Sequence, residues 1–249
     1  MKKVSLGILI AILALTFSGV IVIAKAITPQ EKGKANAPDL EKIEFIHYKK
    51  DFAKPEAAKA PKPPSCYKFL TPGKNPIRWY DTINYVINPN NPQGLSETFT
   101  GNAVSTSAET WDAKTSKELM NNTYTIDYTA VYGVQNYENT LVFGDYPTKG
   151  VIAVTTVWYN PALKAIVEFD VMFDTDWTWG DASNHKTPKV MDLQNIATHE
   201  LGHGIGLNDV YEKACNAVTM YGYSDYGETN KGTLEEPDTI GLQTLYPNF

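Results

Sequence analysis

Two spacings of apolar side chains divide this chain into elements. Ile83, Tyr85 and Ile87 alternate with Asn84, Val86 and Asn88 ahead of an Asn-Pro turn, which predicts a first strand. From Ser96 to about Lys117 the spacing lengthens. Phe99, Ala103, Val104, Ala108 and Trp111 recur at helical intervals behind Ser96 as cap, predicting a surface helix with one buried face. Four β-rich runs follow, near Thr123 to Tyr132, Thr140 to Phe143, Val151 to Tyr159 and Ala165 to Phe173, each closed by Gly, Asn, Asp or Pro. A second helix is expected from about Met191 to Leu207, and a third from the cap-like Thr233-Leu234-Glu235-Glu236 toward Tyr246. Five strands and three helices in one stretch make an α+β domain, and 249 residues suffice for one such core with appendages.

The N-terminal quarter follows neither spacing. Met1-Lys2-Lys3 precedes an uncharged apolar run from Val4 to Ala24, which ends in the small-residue pattern Ala24-Lys25-Ala26. This is an export signal, and its run of about 20 residues is also long enough to span a bilayer. Cleavage after Ala26, giving a secreted protein, and retention as a cell-surface anchor through residues 4–24 are both open. Residues 27–65 become rich in Ala, Lys and Pro and read as a tether. Within it, Ile43-Glu44-Phe45-Ile46-His47-Tyr48 fits either a pairing strand or a short pro-segment, and the pattern does not choose. The body is then residues 66–249.

Charge sharpens this division. Residues 1–65 carry 11 Lys and Arg against 6 Asp and Glu, whereas residues 66–249 carry 11 against 22. A body this acidic repels phosphate backbones, so nucleic acid is excluded as a partner. The two cysteines, Cys66 and Cys215, lie in a chain bound for export and read as one disulfide.

The chemistry concentrates in His199-Glu200-Leu201-Gly202-His203-Gly204-Ile205-Gly206-Leu207-Asn208-Asp209. On a helix, positions four apart lie almost above one another, so His199 and His203 can reach one Zn²⁺ from the same face. Glu200 is offset from that face and can take a proton from a zinc-bound water without using a coordination site. A catalytic zinc normally has three protein ligands and one open position. Gly206 stands where the helix must stop and turn sharply, which returns Asp209 toward the metal. The other histidines, His47 and His185, are remote in sequence, leaving Asp209 as third ligand.

This segment resembles the metzincin signature H-E-x-x-H-x-x-G-x-x-H/D, in the Asp-ended form that snapalysin-like proteases show. Metzincins carry a methionine turn beneath the metal; by this resemblance Met220, in Val218-Thr219-Met220-Tyr221, forms the floor of the site and is not a ligand. Over about residues 76 to 248 the chain is similar to the matrixins. Trp111 falls where their first helix places an aromatic, Ile196-Ala197-Thr198 leads into the signature, and Asp238-Thr239-Ile240-Gly241-Leu242-Gln243-Thr244-Leu245-Tyr246 resembles their closing helix. The resemblance implies a five-stranded mixed sheet, three helices, and a cleft along an antiparallel edge strand. That strand corresponds to about Gly150, Val151, Ile152, Ala153 and Val154, whose free backbone groups would pair with an extended substrate peptide.

The departures from the matrixin pattern matter equally. Met172 stands where matrixins have the histidine of a structural zinc site, so that second zinc is not expected. Trp177 replaces a calcium-binding Glu while Asp174 and Asp176 remain, leaving calcium a candidate cofactor. Cys66 lacks the flanking residues of the pro-segment cysteine that caps the matrixin zinc, and pairing with Cys215 would leave no thiol free. The function implied is a monomeric, exported zinc metalloendopeptidase, with Tyr221 or Tyr223 placed by position alone to stabilise an oxyanion. The competing classes are a surface binding protein on a protease scaffold and a zinc amidase acting on non-protein amides. Glu200 argues against the first, because structural zinc needs no base.

Overall fold

The computed structural model describes residues 39–52, 65–184 and 189–247; the expected signal or anchor at residues 1–26, the rest of the tether and His185 lie outside the described residues. In chain order the strands are β1 (Glu41–Lys49), β2 (Lys68–Phe69), β3 (Tyr85–Ile87), β4 (Thr125–Ile126), β5 (Asn139–Gly144), β6 (Val151–Asn160), β7 (Ala165–Asp174), β8 (Trp179–Gly180), β9 (Met191–Asp192), β10 (Leu207–Asn208) and β11 (Tyr223–Ser224). The helices are α1 (Glu97–Asp112), α2 (Leu193–Gly204) and α3 (Glu236–Leu245). None of them is long and apolar enough to cross a membrane.

The centre of the main sheet is the pair β6 and β7, two ten-residue runs dense in β-branched and aromatic side chains and almost wholly buried. They pair antiparallel through a turn in which Asn160 Oδ1 accepts from the backbone of Ala162 and Leu163 at 3.0 Å each. Outward from β7, β5, β3 and β4 add in parallel; outward from β6, β1 adds antiparallel and β11 adds parallel to β1. The resulting order is β11-β1-β6-β7-β5-β3-β4.

The architecture is the expected α+β one, with a mixed sheet and three helices, but the sheet has seven strands where five were expected. The five predicted are all present, and β1 and β11 are the additions. The strand expected over Thr123 to Tyr132 shrinks to Thr125–Ile126, because Asp127 Oδ1 captures the backbone and hydroxyl of Thr129, both at 2.7 Å, and bends the chain away. The first helix stops at Asp112, five residues early, where the Asp112 carboxylate accepts from Leu119 N at 2.6 Å and Met120 N at 3.1 Å.

One correction bears directly on function. Val151, Ile152, Ala153 and Val154 do not form a free edge: β1 pairs along them, with Ile46 opposite Val154, His47 opposite Ala153 and Tyr48 opposite Val151. An apolar edge pairs with any extended segment of matching alternation that can reach it, and residues 41–49 are such a segment.

α1 packs on α2 through a few polar anchors set in an apolar interface. Trp111, fully buried, donates from Nε1 to Thr198 O at 2.8 Å, and Ser107 Oγ reaches Gln194 O at 3.0 Å. The close approach needs Gly202, where a Cβ would lie 2.2 Å from Met220 Sδ and 2.9 Å from Trp111 Cζ2. Gly202→Ala is expected to lower stability by about 1–3 kcal/mol through overpacking, measured by urea unfolding; an unchanged midpoint would show that the layer can yield.

Candidate metal centre

α2 begins on Asp192, whose side chain accepts from Asn195 N at 2.8 Å, and its last turns carry His199 and His203. The two rings stand 4.9 Å apart between centroids and nearly perpendicular. The helix ends at Gly204, three residues before the expected Leu207, and Gly206 takes φ +114°, a conformation costly for any residue with a Cβ. Past this bend Leu207–Asn208 pairs antiparallel with Lys68–Phe69. Val210 then hydrogen-bonds in both directions with the methionine segment, its N to Met220 O at 2.9 Å and its O accepting from Gly222 N at 3.0 Å. Asp209 lies between these two clamps, which turn its carboxylate back onto the helix.

The result is a convergence of three acceptors. Asp209 Oδ1 is 3.3 Å from His199 Nε2 and 3.5 Å from His203 Nε2. All three atoms are buried without a hydrogen-bond partner. The opposite ring nitrogens are taken, His199 Nδ1 by Thr219 O at 2.7 Å and His203 Nδ1 by Leu207 O at 2.9 Å, so each Nδ1–H donates and each Nε2 offers its lone pair. Tetrahedral zinc with N and O ligands at about 2.0–2.2 Å sets its ligands roughly 3.3–3.5 Å apart. The donor set and spacing therefore fit that ion.

Supporting contacts fix each member. Tyr211 donates its hydroxyl to Asp209 Oδ2 at 2.8 Å. Asp238, at the start of α3, accepts from Thr219 N at 2.8 Å and Met220 N at 3.2 Å, holding the turn that carries both Thr219 O and Met220. Met220 is fully buried against Gly202, under the helix, and its sulfur is not among the three converging atoms. Cys66 and Cys215 form a disulfide, with Cα atoms 5.3 Å apart, so neither offers a thiol.

Glu200 is fully buried beside the trio. Its Oε2 accepts from Thr155 Oγ1 at 2.5 Å and its Oε1 contacts His47 Nδ1 at 2.9 Å. Burial pushes its pKa up to about 7 against the pull of His203 and Thr155.

Tyr223 lies in β11 and Tyr221 just before it; their rings continue a row from Tyr211, at 5.2 Å from Tyr211 to Tyr223 and 5.7 Å from Tyr223 to Tyr221. Asp174 and Asp176 come together with Asp145, and Asp174 Oδ2 is buried with no partner.

His47, Thr155, Tyr211, Ser224 and Lys231 surround the site without having been read from the sequence. Only His47 carried a signal, as one of two histidines outside the motif, and its distance along the chain hid it. The contact from Tyr211 to Asp209 makes a prediction: Tyr211→Phe is expected to weaken Zn²⁺ affinity about 10–100-fold, read by competition with a chromophoric chelator, and equal affinity would exclude an orienting role. Residues 78–247 match the family model of the matrixins, Peptidase_M10, which spans every one of these groups except His47.

Proposed function

Because the chain belongs to the matrixins, a family of zinc metalloproteases, we propose that it is an exported endopeptidase in which His199, His203 and Asp209 hold zinc and Glu200 is the general base. The convergence of three buried lone-pair atoms that no donor reaches carries the ligand assignment. Zinc bound there supplies Lewis acidity toward a peptide carbonyl and toward a water.

The remaining work falls to the chain's own groups. Glu200, kept basic by burial and oriented by Thr155, takes the proton from the attacking water and delivers it to the departing amine. Tyr211 steadies Asp209, and the Thr219 and Leu207 carbonyls fix the tautomers of both histidines. Tyr221 or Tyr223 is assigned to the oxyanion by its place in the row beside the site.

Export as a secreted or surface-anchored protein is supported by the apolar run at residues 4–24 and by the Cys66–Cys215 disulfide, a bond that persists in oxidising compartments. Calcium is assigned to Asp145, Asp174 and Asp176 on the strength of the unpartnered buried oxygen of Asp174. Added Ca²⁺ should then raise Tm, and should fail to do so after Asp174→Asn.

Glu200→Gln tests the mechanism. Casein hydrolysis by zinc-loaded residues 66–249 should fall at least ~100-fold while metal analysis still finds one zinc per chain. A variant that keeps the wild-type rate would remove Glu200 as the base.

A further inference from the structure

Two lysines among the described residues are buried, and only one of them has a counter-charge. Lys49 Nζ lies 2.5 Å from Asp51 Oδ2 and 3.0 Å from Asp225 Oδ1. Lys231, at 1% exposure, has no carboxylate within ion-pair distance among the described residues. A buried cation left without a counter-charge is costly, yet this one is held firmly in place. Its backbone N donates to Asn195 Oδ1 at 2.7 Å, one helical turn ahead of His199, and its Nζ donates to Tyr221 O in the methionine turn. The mechanism above gives it no task.

In front of the ammonium stands one acceptor, His47 Nε2, 3.3 Å from Lys231 Nζ and 3.1 Å from Ser224 Oγ. Both of those groups can donate, and an imidazole nitrogen offers them a single lone pair. The other ring nitrogen, Nδ1, contacts Glu200 Oε1 at 2.9 Å, and the ring lies 4.0 Å from that of His199. The space filled by this side chain is therefore walled by the base, by a metal ligand and by two donors, one of them cationic.

β1 runs extended and antiparallel along β6, with His47 opposite Ala153. Its register shows which side chain of an extended peptide enters that space. Glu200 hands its proton to the departing amine, so the residue seated beside Glu200 is the one that supplies the amine. The bond cut lies on the N-terminal side of that residue.

We propose that Lys231 and Ser224 form a carboxylate seat, which makes this peptidase cleave on the N-terminal side of glutamate. This rests on the proteolytic reading above and adds its substrate class. A carboxylate oxygen has the lone pairs to accept from both donors at once, and it supplies the charge that Lys231 lacks. Length selects between the two acids: the Glu carboxylate hangs as many bonds from Cα as Nε2 of His does, and the Asp carboxylate one fewer. Gln has the reach of Glu without its charge, and an aliphatic side chain would leave both donors facing apolar surface. A glutamate in the seat carries no donor toward Oε1, which leaves the Glu200 carboxylate free for water. Its charge faces that of Glu200 across the width of a ring, and the Lys231 ammonium offsets the repulsion.

The seat is tested first without turnover, in the zinc-loaded full chain, by changing the side chain that fills it. His47→Glu should give a higher Tm than His47→Gln, and that order should be lost in a Lys231→Met background. Substrate selection is then read with zinc-loaded residues 66–249 and fluorogenic peptides that differ only in the residue after the scissile bond, the cut being located by mass spectrometry. kcat/KM for Glu should exceed that for Gln about 10-fold, with Asp between them, and Lys231→Met should remove the preference. The ratio is taken within one preparation, so incomplete folding cancels. Peptides cut equally well before Glu, Gln and Leu overturn the seat and leave proteolysis standing. A Glu preference that survives Lys231→Met overturns the assignment to Lys231. The expected order of the His47 variants with no peptide cut, although one zinc per chain is bound, keeps the seat and overturns the proteolytic reading. Equal stability of the two His47 variants overturns the seat itself.

Discussion

Three lone pairs aimed at one point inside an apolar interior set the terms for everything around them. Leaving buried acceptors without donors costs a few kcal/mol apiece, so the surrounding structure must prevent the collapse that would satisfy them. It does so by occupying the other end of each group: Thr219 O and Leu207 O take the two Nδ1–H donors, and Tyr211 takes Asp209 Oδ2. Two of those partners are themselves held, Thr219 by Asp238 beneath the methionine turn and Leu207 by the Gly206 bend and the β10 pairing. The helix that carries the histidines is braced by Trp111 from α1 and by the sheet below.

The parts of this design that depend on neighbours in sequence were legible. His199 and His203 are one helical turn apart, Gly206 must leave the helix, and Asp209 follows within three residues, so local spacing was enough to bring the trio together. The amphipathic runs of α1 and α3 and the dense apolar runs of β6 and β7 were readable for the same reason. Element ends were less so. Asp127 and Asp112 each redirect the backbone through a single side chain, a competition that periodicity does not register.

What could not be read was pairing across distance. β1 meets Glu200 from 153 residues away, and Lys231 meets His47 from 184. The alternation of Ile43 to Tyr48 announced a strand without naming its partner, and the apolar run at Val151 announced a partner without saying whether it was free. The free-edge expectation failed because both halves of the pair lie in one chain. A segment that fits the groove better than solvent does will fill it whenever it is tethered nearby.

The short stretch Cys66 to Phe69 has a consequence for where this domain begins. Lys68–Phe69 pairs with Leu207–Asn208 just before Asp209, and Cys66 bonds to Cys215 just after it. The carboxylate thus sits in a loop gripped at both shoulders by a piece of chain lying ahead of residue 78, where the family likeness starts. Homology therefore understates the working unit. A boundary drawn at the likeness would keep both imidazoles on their helix and untie the loop that completes the triad.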